Sequence, residues 1–473
     1  MFLFLLSPLF TMGRLRRLAL WAAVPALISA LNSTVHDVLV VGGGSSGTYA
    51  AVRLQELGLR VALVEKECRL GGNTNTYHDP ATGGTFDYGT QILVNTSTVR
   101  SFFASLDIPL APLVSRGGAK AIDFRNNVEG PAWPIVTPAD SAAALAKYKT
   151  ILAQYPDSFF RGYHLPDPVP DDLLMPWGDF LKKYDLGALA YDAFLQFQGV
   201  GNSLAQPTLY IMKLFNPMQL AAREDNLKVT EANHNMQALW DAAQDKLGAN
   251  AIVCANITSI TRSPSGVSLT AKTPQGVTTL HAKKLIITIP PKVPFLSPFL
   301  SLTAEESSLF SGFNNSYYWN AVLANTGFPE NVSIYNYNAK ALFHVPALPG
   351  AYYFTSEISG LYSAQYSTPN FVSDEYFISD ILQTVAAIRN TLKLPLPHLN
   401  TTITAWNNHS PSLLTVPIND IKDGFYKKFT ALQGKTDTFW TGASWSSGSS
   451  STIWDFTEQE IIPTIYKSLS SSP

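Results

Sequence analysis

Cysteine is nearly absent. Cys68 and Cys254 are the only two in 473 residues, so no disulfide framework can hold this chain and a packed core must do so. Charge is sparse too: Asp, Glu, Lys and Arg make up 14%, with a net charge of -2 and a pI near 6.5. Without a basic surplus, the chain offers nucleic acid no electrostatic footprint. No internal repeat or low-complexity tract occurs, which argues against solenoids and disordered arrays. No metal is expected. What is abundant is apolar material: 46% of residues are hydrophobic, enough to bury large cores, and the length predicts roughly two or three domains. Aromatic residues reach 12%, with 20 Tyr and 9 Trp, pointing to apolar, π-rich pockets, although most such rings in any protein fill core.

The first thirty residues read as an address. Arg14, Arg16 and Arg17 precede an apolar run from Leu18 to Ala30 that ends in small residues, the pattern of a secretory signal peptide over residues 1–30. The run is short for a stable membrane span. A second apolar stretch, Phe2 to Phe10, precedes the arginines, so two readings stay open: Met12 is the true start, or the segment stays uncut as an anchor. Sequons of the N-x-[ST] form at Asn32, Asn95, Asn256, Asn314, Asn331, Asn400 and Asn408 agree with passage through the secretory pathway and imply N-glycans. Those lying in strands, such as Asn256, need not be used.

The most specific pattern runs from Asp37 to Glu65. An apolar strand, Asp37 to Val41, enters the turn Gly42-Gly43-Gly44-Ser45-Ser46-Gly47. A helical run from Thr48 to Gly58, a buried strand Val61 to Val64 and the acid Glu65 follow. Strand, G-x-G-x-x-G turn, helix, strand and acid in register form a dinucleotide-binding half-site. Gly42 permits the tight turn, Gly44 lets backbone amides approach a pyrophosphate, and Gly47 lets the helix pack on the sheet. The helix N-terminus then faces the pyrophosphate and the Glu65 carboxylate faces the ribose.

A second glycine pair follows the acid in Arg69-Leu70-Gly71-Gly72-Asn73-Thr74, and then comes Thr85-Phe86-Asp87-Tyr88-Gly89-Thr90-Gln91. This order of fingerprint, R-x-G-G and D-x-G resembles the flavin amine oxidase superfamily, and the resemblance covers most of the chain from Val38 to Pro463. Its motifs are highly specific for FAD and weakly specific for substrate. The form Gly42 to Ala51 and the segment Asp171 to Tyr184 resemble the secreted fungal branch that includes β-cyclopiazonate dehydrogenase. The resemblance implies an α/β fold: a Rossmann-type (GR2-like) FAD-binding domain with a discontinuous, amine-oxidase-like α+β substrate domain. Residues 36–100, 230–294 and 435–473 would form the first, and 101–229 and 295–434 the second.

Several further expectations come with the resemblance. FAD would be held at Gly42, Gly44, Ser46, Gly47, Glu65, Lys66, Gly71, Gly72, Asn73, Gly89, Thr90, Gln91, Ile257, Gly442 and Ile453. Cys254 opens the segment that meets the adenine in relatives, so Cys68 and Cys254 would flank the same adenosine, either bonded or as two buried thiols. Strands are expected at Ala251 to Ile260, in a hairpin turning at Pro274-Gln275-Gly276, at Lys283 to Pro291, and at Tyr317 to Leu323, Val332 to Tyr337 and Gly350 to Ser356. Helices are expected at Thr96 to Leu106, Asn235 to Leu247, Glu375 to Leu392 and Ile453 to Tyr466. Around these, the stretch up to about Val229 reads as a helix-rich insertion.

The catalytic candidates are Trp406, His409 and Asn320. Trp406 and His409 fall in a segment that faces the flavin in relatives, and His409 is able to move a proton near neutral pH. Asn320 stands where amine oxidases commonly carry a lysine, which puts ordinary amine oxidation in doubt. Asn73 replaces the Arg or His that often follows R-x-G-G, so FAD is expected to be held without a covalent bond. The expected reaction is dehydrogenation of a hydrophobic small molecule of the fungal secondary-metabolite kind, with or without oxidative ring closure. Hydride would pass to flavin N5 and O2 would restore the cofactor. Two other readings stand beside it: a secreted oxidase of amines or amino acids, and a flavin-binding glycoprotein that has lost catalysis.

Overall fold

The computed structural model describes residues 35–114, 117–358, 360–395 and 398–470; the expected leader and the Asn32 sequon lie outside them. At the centre is a parallel sheet built on the strand Val35–Val41, in which Val38 to Val41 are almost fully buried. Burial on both faces is why this segment reads as a continuous apolar run rather than an alternating one. Val61–Val64 and Ala251–Ile252 lie parallel on one side of it, and the last residues of Gly276–Ile287 and then Thr438–Trp440 on the other. The helix Ser45–Glu56 crosses between the first two strands, beginning three residues before the sequence suggests.

Gly276–Ile287 is one strand serving two structures. Its first half pairs antiparallel with Gly266–Thr273, which pairs in turn with Asn256–Ser263; its second half pairs parallel with Val35–Val41. The sequence suggests two strands here, but His281 and Ala282 contain no breaker, so the chain stays extended. Only its partner changes. Conversely, the strand expected from Ala251 to Ile260 is interrupted, with Cys254 at φ 51. There Cys254 is disulfide-bonded to Cys68, which settles the two open readings of the cysteines. Backbone bonds from Cys254 N to Glu67 O (2.8 Å) and Ala255 N to Glu65 O (2.9 Å) reinforce the same junction.

The second sheet has seven strands in the order Thr402–Asn408, Tyr317–Ala324, Tyr362–Thr368, Gly350–Ser356, Val332–Asn336, Gly118–Asp123 and Val128–Glu129. Tyr362–Thr368, buried at every position, carries no alternation to betray it in the sequence. Gly118–Asp123 comes from within the helix-rich stretch and lies parallel to Val332–Asn336. Behind the sheet packs the helix Asp374–Thr391, whose N-cap Ser373 accepts from Tyr376 N. Its residues Phe377, Ile381, Val385 and Ile388 meet Trp319, Ala321 and Leu323. The other face of the sheet is left for the site. None of the described helices is long and apolar enough to cross a membrane.

Candidate active site

The glycine turn is shaped by close backbone approach. A Cβ on Gly47 would stand 1.9 Å from the Gly42 carbonyl oxygen, whereas one on Gly44 would meet nothing nearer than the Gly72 Cα at 3.9 Å. Gly47 is therefore required by packing. Gly44 has φ -68 and ψ -178, which any residue adopts, so neither strain nor crowding explains the missing side chain. A cradle kept clear for a ligand does.

Two loops are laced together beside that turn. Gly71 N donates to Gly43 O (2.8 Å), Thr90 N to Asn73 O (3.1 Å) and Tyr88 N to Asn75 O (2.9 Å). Arg69 organises them: its guanidinium donates to the carbonyls of Gly72 (3.2 Å) and Thr74 (3.0 Å), to Gln237 Oε1 (2.9 Å) and to Asn75 Oδ1 (2.9 Å). Glu65 ends the second strand buried, its carboxylate accepting from Gly43 N (2.5 Å) and Glu67 N (2.7 Å). Lys66 points away into solvent, 3.4 Å from Glu67. Ile257, the second residue of its strand, is half-buried opposite Ala271.

The C-terminal segment brings a second helix start to the same place. Ser45 Oγ donates to Ser450 Oγ (2.9 Å), and Trp454 Nε1 donates to Ser45 O (3.2 Å). The helices beginning at Ser45 and Ser450 thus converge with their positive ends. Ile453 lies in the first turn of the latter, and Gly442 packs beside Ser46 and Thr288. Gly89 and Gln91 flank Thr90 in the laced loop, Gly89 so tightly that a Cβ would lie 2.4 Å from Asn73 O.

Between these loops and the second sheet lies a chamber of about 190 Å³, with Asn73, Thr90, Ala443 and Ser447 on one side and Tyr318 and His409 on the other. Ser447 Oγ is buried there without a partner. Buried orphan acceptors and donors of this kind mark a place where a polar ligand completes the bonding. The residues present fit FAD: a clear cradle at two helix starts, an acid after the second strand, and amide-rich loops leading to the chamber.

Strand alternation sorts the catalytic candidates. Ala405, Asn407 and His409 share one face of the Thr402–Asn408 strand and its continuation, while Trp406 lies on the other, against Phe377 at 6.0 Å between ring centroids. Trp406 therefore belongs to the helix-packed face and does not line the chamber, a correction to its sequence assignment. Asn320 faces the chamber side, 2% exposed, with Nδ2 3.4 Å from His409 Nδ1.

His409 is held between amides. Asn75 Oδ1 accepts from Arg69 and from Asn407 Nδ2 (3.0 Å), which fixes its Nδ2 toward His409 Nε2 at 3.0 Å. Nε2 is thus the acceptor and the ring proton sits on Nδ1. Turning the Asn320 amide over gives that proton to the otherwise partnerless Oδ1, an orientation that hydrogen bonding alone decides. Burial, with a smaller push from the Arg69 charge, takes the imidazole down to about 4. So the expectation of a proton carrier near neutral pH is not met: His409 is a neutral hydrogen-bonding group. Asn75 and Asn407 were not singled out from the sequence, and Arg69 only as the arginine of R-x-G-G, yet the i, i+2 spacing of Asn407 and His409 places both on one face.

The class this geometry defines is a dinucleotide-binding oxidoreductase with a roofed chamber. Residues 40–106 match the family model of an NAD(P)-binding Rossmann-like domain. Over whole chains, the protein is 36% identical to the FAD-dependent oxidoreductase oblC of Cochliobolus heterostrophus, covering 92% of each. It is 31% identical to the beta-cyclopiazonate dehydrogenase of Aspergillus oryzae, covering 91% of this chain and 93% of that one. A fatty acid isomerase from P. acnes superposes with a TM-score of 0.74 at 18% identity, over 90% of this chain and 98% of that one. Putrescine oxidase gives 0.63 at 14%, over 91% and 99%; both show the fold alone. The chain belongs to the FAD-dependent oxidoreductase family.

Two outcomes test the site. Gly44→Val is expected to leave the apoprotein's unfolding midpoint nearly unchanged while weakening FAD binding at least about tenfold, about 1.4 kcal/mol, whereas Gly47→Ala disrupts the fold itself. Equal loss of stability in both would remove the distinction. For His409, the unfolded imidazole takes a proton near its usual 6.5, which the folded one refuses until about 4. Stability present above pH 6.5 is therefore lost as pH falls toward 4, by about 2–3 kcal/mol at 1.36 kcal/mol per unit. Urea unfolding at pH 7 and pH 4.5 should show the deficit of His409→Gln shrinking by that amount at the lower pH; a constant deficit contradicts burial of the neutral ring.

Proposed function

We propose that this chain is a secreted, glycosylated dehydrogenase that oxidises a hydrophobic small molecule at a C–H bond next to nitrogen or in a conjugated system. The observation that carries this reading is the chamber, enclosed jointly by the glycine-rich loops and the polar face of the second sheet. When bound, FAD supplies the two-electron acceptor, which oxygen restores. The chain's part is orientation and exclusion of water: Tyr318, Leu214 and Leu413 form apolar walls, and His409 keeps its place between amides without exchanging its proton. The relatives named beta-cyclopiazonate dehydrogenase support a secondary metabolite as substrate. FAD would be gripped by Gly42 to Gly47, Glu65, Gly71 to Asn73, Gly89 to Gln91 and Gly442, with no covalent link.

Purified protein is expected to be yellow, and anaerobic mixing with candidate metabolites should bleach the flavin band near about 450 nm. Colourless protein that takes up no FAD would sink the reading; a flavin that no member of a broad panel bleaches favours a carrier instead.

Secretion rests on the leader pattern and on the sequons, of which Asn256, Asn314, Asn331, Asn400 and Asn408 are exposed. Expressed in full in a filamentous-fungal host, the protein should reach the medium and lose mass on treatment with an N-glycosidase. Retention in the cytosol at an unchanged mass is the contrary result.

A further inference from the structure

We infer that the chamber takes its substrate as a neutral or anionic oxygen acid, an enol, phenol or carboxylate on an apolar ring system, and rejects protonated amines. The inference rests on the chamber being the substrate site. Among the described residues no Asp or Glu lines it, and the one charged side chain in its wall is Lys213. Lys213 is 1% exposed, and its Nζ donates to the carbonyls of Phe159 (2.8 Å), Phe160 (3.3 Å) and Gly162, 4.4 Å from the Tyr163 ring centroid. A neutral amine has only two N–H groups. Three carbonyl acceptors plus an aromatic face therefore favour the ammonium, although burial, offset only in part by the Glu460 charge, draws it down to about 7.

Carboxylates elsewhere are already engaged. Glu460, whose charge reaches Lys213, is 2.7 Å from His164 Nε2 and 3.7 Å from Arg161 Nε. Asp87 accepts from Met236 N (2.9 Å), and Glu357 from Ser363 Oγ (2.7 Å). His409 has both ring nitrogens facing amides. An ammonium entering this chamber would shed its hydration and meet no counter-charge, which is costly in a buried site. An oxygen acid would meet the hydroxyl of Ser447, which is buried without a partner. Its rings would lie against Val200, Leu214 and Tyr318.

The test is to titrate the FAD-loaded enzyme with indole-3-acetate, indole-3-acetamide and tryptamine, probes of one ring and similar size, following the flavin absorbance. Acetate is expected to bind at least about tenfold tighter than tryptamine, with the amide between. Tryptamine binding as tightly as the acetate overturns the inference. Gln198→Glu, which adds a carboxylate to the chamber wall with little change of shape, should reverse the order; an unchanged order also overturns it. Lys213→Met should reduce the acetate's advantage while sparing the amide, and if that variant does not fold, the Gln198→Glu comparison decides. If none of the three probes perturbs the flavin, the placing of the substrate in this chamber fails. The flavin spectrum and its bleaching by other compounds would still stand, so the two failures can be told apart.

Discussion

Two stretches of backbone that pass each other without side chains set the geometry of this site. The loop after the second strand crosses the glycine turn as a single bridge between Gly44 and Gly71, and a Cβ on Gly72 would lie 2.9 Å from the Gly44 Cα. Because the crossing is that close, Arg69 is delivered beneath the loop, where its guanidinium ties down the Gly72 and Thr74 carbonyls and the Asn75 amide. Asn75 then decides which nitrogen of His409 carries the proton. A steric constraint at the glycine loops thus fixes a protonation state at the second sheet, by way of Arg69 and Asn75.

Local chemistry made half of this legible in the sequence. The strand, turn, helix, strand and acid from Asp37 to Glu65 stand in the order the residues suggest, because each element is set by short-range pattern: continuous burial, glycine at a crowded turn, an apolar helical face. What the sequence hid depends on long-range partners. Tyr362–Thr368 is buried on both faces and so shows no period. Gly276–Ile287 changes neighbours halfway along without any residue marking the change. Lys213, distant in sequence from every motif, is seen as a chamber residue only once the Phe159 to Gly162 carbonyls are in place around it.

Trp406 and His409 show what strand parity decides. Three residues apart on an extended strand, they must face opposite ways, so both could not look into one chamber. The resemblance set the whole segment against the flavin; parity excludes Trp406. By the same parity Asn407 joins His409, and opposite it across the ladder stands Asn320, itself facing Gln365 on the next strand. The roof is therefore a run of carboxamides.

A carboxamide roof has an electrostatic consequence that reaches beyond any one residue. Amides offer dipoles but no net charge, so the field in the chamber is left to two helix starts converging at Ser45 and Ser450, the Arg69 guanidinium, and Lys213 in its ammonium form. All are positive. In a space walled by low-dielectric side chains, such a field favours the phosphates of a dinucleotide and any negative charge that develops when electrons arrive. A lysine at position 320 would add a further cation to this set; asparagine leaves the balance as it is and offers either a donor or an acceptor to what lies beneath. The carboxamide at Asn320 and the neutral state of His409 are, on this view, one feature: the roof contributes direction and leaves the sign of the field to the floor and walls.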